Sequence, residues 1–151
     1  MVKGIELANP TVQGLGCIEI DIPSRVDMVA VVRMIVAAAS DAVEAIRGER
    51  MEDLRWVTSE AITNAIEANL SVDQPGRVKV RCELGDGIVR LAVSDEGPGM
   101  AELAAVPDIT DPERLLLEGA FGIPLMQMLS TEMSFHCVDG QGTTVEVELH
   151  Q

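Results

Sequence analysis

"SEAITNAIEAN", Ser59 to Asn69, is the stretch on which the reading of this chain turns. It lies inside a longer run, Glu49 to Leu70, in which Met51, Leu54, Val57, Ala61, Ala65 and Ala68 recur at intervals of three and four residues. That spacing places them on one stripe of an α-helix that follows Gly48, which closes the helix before it, and is ended by Gln74, Pro75 and Gly76. Within it, Glu60 and Asn64 stand four residues apart, so a carboxylate and a carboxamide project side by side from one face. Asparagine is a mediocre helix former because its amide competes with the backbone for hydrogen bonds. Taken alone, a Glu-x-x-x-Asn pair is more often solvated surface than a site.

Outward from this helix the pattern changes period. Upstream, "CIEIDIPS" alternates apolar and polar residues from Cys17 to Pro23 and reads as a strand, with Ser24 or Asp27 expected to cap a helix running to about Arg47. Downstream, "RVKVRCEL" and "GIVRLAVSD" alternate on either side of "GDG", a tight-hairpin signal. From Glu96 to Gly119 periodicity is lost among Pro98, Pro107, Pro112 and several acids; so long a connection in a compact domain reads as a functional lid, with room for a short helix at Leu115 to Leu117. "GIPLMQMLS" resumes the helical period, and "EMSFHCV" and "TTVEVELH" read as two closing strands around "DGQG". The expected fold class is α+β: a two-layer sandwich with a mostly antiparallel sheet of about five strands and three helices on one face, in one domain spanning 1–151.

Three further segments carry candidate chemistry. "SDEGPGM" ends a strand at Asp95 and continues with Gly97 and Gly99, where glycine lets backbone approach a ligand and Asp95 is placed to accept a hydrogen bond from an amino group. "EGAFGIPLM" sets Gly119 and Gly122 before a helix whose first N–H groups are free to bind an anion. "GTTVEVE" opens the last strand with Gly142, Thr143 and Thr144.

Composition restricts the partners. Eleven Lys and Arg against 25 Asp and Glu give a net charge of -14, which repels a phosphate backbone, and three aromatic residues offer no platform for stacking bases, so nucleic acid is not an expected partner. From Leu91 to Gln151 the only Lys or Arg is Arg114, so a phosphate bound by that half needs backbone N–H groups, a metal or that arginine. The three cysteines, Cys17, Cys82 and Cys137, are widely spaced in strand-like segments and read as reduced, mostly buried small hydrophobes of a cytosolic protein. Neither a signal-peptide core nor a membrane-length apolar run is present, so a cytoplasmic chain without membrane attachment is expected.

Together and in this order, these segments resemble the boxes of the Bergerat-fold, or GHKL, ATPases: "SEAITNAIEAN" their N box, "DEGPGM", "GAFGIPLM" and "GTTVEVE" their three glycine boxes. The resemblance covers about Cys17 to Leu149, with an ATP lid at about 96–119, and is strongest to the anti-sigma-factor serine/threonine kinases. It implies that Asn64 ligates Mg²⁺, that Glu60 is the general base, and that Asp95 and Thr143 read adenine. It further implies that Gly97 and Gly99 admit the nucleotide, that Gly119 and Gly122 present N–H groups to its phosphates, and that Arg114 contacts them when the lid closes. The implied cofactors are ATP and Mg²⁺; the implied partners are a sigma factor and a STAS-type anti-sigma-factor antagonist, which the kinase would phosphorylate. A homodimer through the first strand and helix is also implied, although Val29, Val32 and Val36 there read equally well as core.

Two departures leave alternatives open. Relatives often carry a histidine where this chain has Ala68, and Ala120 replaces the first glycine of a Gly-x-Gly in the second glycine box. A nucleotide-binding partner-switching module without phosphate transfer is one alternative, and the isolated catalytic domain of a sensor histidine kinase is another.

Overall fold

The sheet is built by the alternating runs, and its register decides what faces the helices. The computed structural model describes residues 14–73, 75–98, 122–138 and 141–151. Five strands, β1 (Gly14–Pro23), β2 (Arg77–Gly85), β3 (Ile88–Ser94), β4 (Glu132–Val138) and β5 (Gly142–His150), lie in the order β1-β2-β3-β5-β4, each pair antiparallel. Three helices, α1 (Met28–Ala42), α2 (Glu49–Leu70) and α3 (Gly122–Leu129), complete the α+β fold expected from the pattern. None of the described helices is long and apolar enough to cross a membrane.

Because side chains alternate along a strand, one face of the sheet is apolar and the other polar. Val78, Val80, Cys82 and Leu84 of β2, Val89, Leu91 and Val93 of β3, and Val145, Val147 and Leu149 of β5 are buried in one core with Leu54, Val57, Ile62 and Ile66 of α2. On the opposite face Arg90 pairs with Glu148 (2.8 Å) and Glu83 (3.6 Å), binding β3 to both of its neighbours. Val32 and Val36 of α1 are fully buried and Val29 packs against the same cluster, so these valines serve the core.

Three local expectations are corrected. Asp27 occupies the N-cap position of α1 but its side chain makes no capping hydrogen bond: the carboxylate pairs with Arg25, the Ser24 hydroxyl donates to the Gly76 carbonyl (2.6 Å), and turn bonds from Met28 N to Arg25 O and Val29 N to Val26 O open the helix. The helix ends at Ala42, short of Arg47, because the chain reverses through Glu44 (φ 53°) and turns Ala45 and Ile46 into the core, where each is at most 1% exposed. Cys17 is exposed, since the register that turns Ile18, Ile20 and Ile22 inward puts Cys17, Glu19 and Asp21 on the polar face of an edge strand. Cys82 is buried and Cys137 half-buried, and all three are free thiols.

Candidate functional site

Between α2, the start of α3 and the ends of β3 and β5 lies a cleft of about 240 Å³. Its floor is apolar, formed by Val93, Val145, Phe135, Ile123 and Met126, and its rim is polar, formed by Asn64, Glu67, Asp95 and Thr143. On the α2 side the wall is Ala61, Ala65 and Ala68, one stripe of residues whose small side chains leave the space open. An apolar cavity with a few convergent polar groups is the ordinary form of a small-molecule site.

Glu60 and Asn64 project from α2 toward the first residue of α3. A Cβ added to Gly122 would lie 2.7 Å from a Glu60 carboxylate oxygen and 3.6 Å from both polar atoms of the Asn64 carboxamide, so glycine leaves the Glu60 carboxylate room where it stands. Among the described residues no hydrogen bond engages the Glu60 carboxylate or the Asn64 carboxamide. Burial, with the nearby Glu67 charge adding to it, raises the Glu60 pKa above the ordinary carboxylate value. The first turn of α3, whose N–H groups have no partner within the helix, lies at the same place, Pro124 having no N–H to offer.

At the other end of the cleft, Asp95 is fixed by the backbone around it. Its Oδ1 accepts from Gly97 N (2.9 Å) and Thr143 N (3.2 Å), and its own N–H donates to Thr143 O (2.9 Å). Oδ2 remains for a ligand donor. Burial raises the Asp95 pKa, and the two backbone hydrogen bonds oppose that rise. Gly97 is required by close packing: a Cβ there would meet the Ala68 carbonyl oxygen at 2.8 Å. Gly142 adopts φ +89° and passes so near the Asp95 carbonyl that a Cβ would overlap it at 2.0 Å. The Thr143 hydroxyl donates to the Cys137 thiol (3.7 Å), leaving its lone pairs to accept.

The fold thus brings together residues from three elements and the turn after β3: Asn64, Asp95 and Thr143 line the cleft, and Glu60, Gly97 and Gly122 pack beside them. Gly99, Arg114 and Gly119, with the expected short helix and most of the lid, lie outside the described residues. Sequence reasoning missed the apolar floor; the inward phase of β4, which turns Met133 and Phe135 toward the helices, was the available signal. It also missed Asn69, which is fully buried with its carboxamide bonded on both sides.

Among the described residues no group of three His, Cys, Asp or Glu side chains can hold a metal by itself. A magnesium ion needs less from the protein, because it takes one or two protein oxygens and completes its shell with phosphate oxygens and water. The unengaged Asn64 oxygen fits that role. The described lining contains no Lys or Arg and two acids, Glu67 and Asp95, so a polyphosphate entering this cleft needs a countercharge.

Residues 22–149 match the family model of the histidine kinase-like ATPase domain. The chain belongs to that family, the GHKL ATPases, in its anti-sigma-factor group. It is 34% identical over 104 residues to the anti-sigma F factor of Geobacillus thermodenitrificans, covering 68% of this chain and 70% of that one. It is 29% identical over 104 residues to the anti-sigma F factor of Bacillus subtilis, with the same coverage. Among solved structures, the RsbU and RsbW domains of a Mycobacterium tuberculosis protein superpose with a TM-score of 0.64 at 20% identity, which speaks for the fold. That match covers 89% of this chain and 32% of the larger one.

Proposed function

We propose that this chain is an anti-sigma regulator that binds Mg-ATP in the cleft, holds a sigma factor, and phosphorylates a STAS-type antagonist on serine or threonine. The observation that carries the reading is the pairing of Glu60 and Asn64 against Gly122, with no hydrogen bond to either side chain among the described residues, beside a cleft that Asn64 and Asp95 both line. The relatives named anti-sigma F factor support the regulatory half.

In this reading the Asp95 Oδ2 and the Thr143 hydroxyl accept from the adenine amino group, the apolar floor takes the base, and the N–H groups of α3 receive phosphate oxygens. Glu60 takes the proton from the attacking hydroxyl as its oxygen bonds to the γ-phosphorus and ADP leaves; its raised pKa brings it nearer the operating pH, which favours a general base. Mg²⁺, held by the Asn64 oxygen and the phosphates, would spread the charge that develops in transfer. Gly97 and Gly99 admit the nucleotide, and Gly119 and Arg114 complete the phosphate contacts from the lid. A homodimer in the cytoplasm belongs to the same proposal.

A second reading, a module that holds nucleotide and partner without transfer, is favoured by Ala68, whose carbonyl and methyl groups lie against Gly97 where relatives often carry a histidine. Incubation with γ-labelled Mg-ATP and the STAS protein encoded nearby separates the two. Transfer of label, abolished in Glu60→Ala, is the expected result. Nucleotide binding without transfer to any STAS candidate leaves the holding module, and no binding at all removes both.

A further inference from the structure

Five residues beyond Asn64, Asn69 points away from the cleft into the junction between the end of α2 and the sheet. It is wholly buried, and every polar position of its carboxamide is used: Oδ1 accepts from Glu96 N at 2.7 Å, while Nδ2 donates to Ser24 Oγ at 2.9 Å and to Arg77 O at 3.1 Å. Ser24 in turn donates to Gly76 O at 2.6 Å, and the Glu96 carboxylate accepts from Arg77 N at 2.7 Å. Four segments distant in sequence are joined through one side chain. The N–H that Asn69 captures belongs to the peptide bond between Asp95 and Glu96.

We propose that Asn69 is a positioning residue for base recognition, setting the orientation of Asp95 from the side of α2. The proposal rests on the adenine-reading role given above to Asp95. On the strand side Asp95 is held through Thr143, and within its own turn through Gly97. None of those bonds engages the peptide that follows Asp95; the bond from Glu96 N to Asn69 does, and it ties that peptide to the helix carrying Glu60 and Asn64. A site that recognises a ligand amino group discriminates only while its acceptor is held in place.

The test compares three probes on the full chain with Mg²⁺ present: ATP, inosine triphosphate, which carries a carbonyl where adenine has its amino group, and inorganic tripolyphosphate. The wild type should prefer ATP over inosine triphosphate. Asn69→Ala should reduce that preference about tenfold, the consequence of releasing Glu96 N from the helix, and leave tripolyphosphate affinity within about twofold. A residue that only supports the fold would lower the melting temperature and leave the preference in the folded protein unchanged, which overturns the proposal. If Asn69→Ala does not fold, Ser24→Ala, which frees only the Nδ2 side of the network, decides: a smaller loss of preference supports the role, and an unchanged preference overturns it. A wild type that binds ATP no better than tripolyphosphate would instead defeat the adenine reading, and this proposal with it.

Discussion

Glu60 shows how one residue's surroundings set its chemistry. Its carboxylate lies half-buried beside Gly122 with Glu67 on the same helix face, so the protonated form is favoured above the ordinary pKa of 4.5. A folded-state pKa above the unfolded one means that ionisation at neutral pH opposes folding, and that this stability is lost as pH rises through the raised value. Glu60→Gln is therefore expected to keep or raise the melting temperature at pH 7, to retain nucleotide binding, and to lower phosphate transfer by about 10²- to 10⁴-fold. Calorimetry and a transfer assay on one preparation check all three. The cysteines give a second test: Cys82 is inaccessible with its thiol pushed up to about 12, so iodoacetamide should label Cys17 first, Cys137 more slowly, and Cys82 only on unfolding. Mass spectrometry with and without nucleotide should show Cys137 protected by ligand, because it touches Thr143.

At the scale of elements, the site depends on close approaches that only glycine permits. The start of β5 passes the end of β3 at Gly142, whose φ of +89° is strained for any L side chain and whose missing Cβ leaves room for the Asp95 carbonyl. Gly142→Ala is expected to destabilise the fold by about 2 kcal/mol or more and to weaken nucleotide binding, through strain and displacement of Asp95. Denaturant melts and analogue titration measure the two effects. The helix–sheet contact is an ordinary close-packed core by contrast, and Ile62→Ala in α2, at a fully buried position, should cost about 2 to 5 kcal/mol without altering base preference.

Across the whole molecule, the polar face of the sheet is held by a charge network rather than by packing. Arg90, 8% exposed, joins Glu148 and Glu83 across three strands. Burial alone would raise the Glu148 pKa, but hydrogen bonds from His150 and Arg90 outweigh it and hold the carboxyl below its usual value. With the folded pKa depressed, the stability this group contributes is present above the unfolded value and is lost as pH falls through the folded one. Acid unfolding below about pH 4.5 should thus be less steep in Glu148→Gln. Arg90→Ala should cost about 1 to 2 kcal/mol at neutral pH, because it leaves two half-buried carboxylates without this partner. Circular dichroism across pH resolves both.

Much of this was legible in the chain. Period-2 runs gave five strands with boundaries close to those observed, since alternation is imposed by having one buried face. The period in Glu49 to Leu70 gave α2 and set Glu60 beside Asn64, because i to i+4 geometry is local. Tertiary structure decided what local rules cannot reach. The end of α1 was set by burial of Ala45 and Ile46 rather than by Gly48, and the exposure of Cys17 by its edge strand. Ser24 and Asn69, 45 residues apart, became partners only when α2 met the start of α1. Sequence alone determined which stretches form strands and helices and which side chains are candidates for the chemistry, because periodicity and side-chain type are properties of neighbours in the chain. The cleft and the clamp on Asp95 arise only where segments far apart in sequence bury their polar groups against one another.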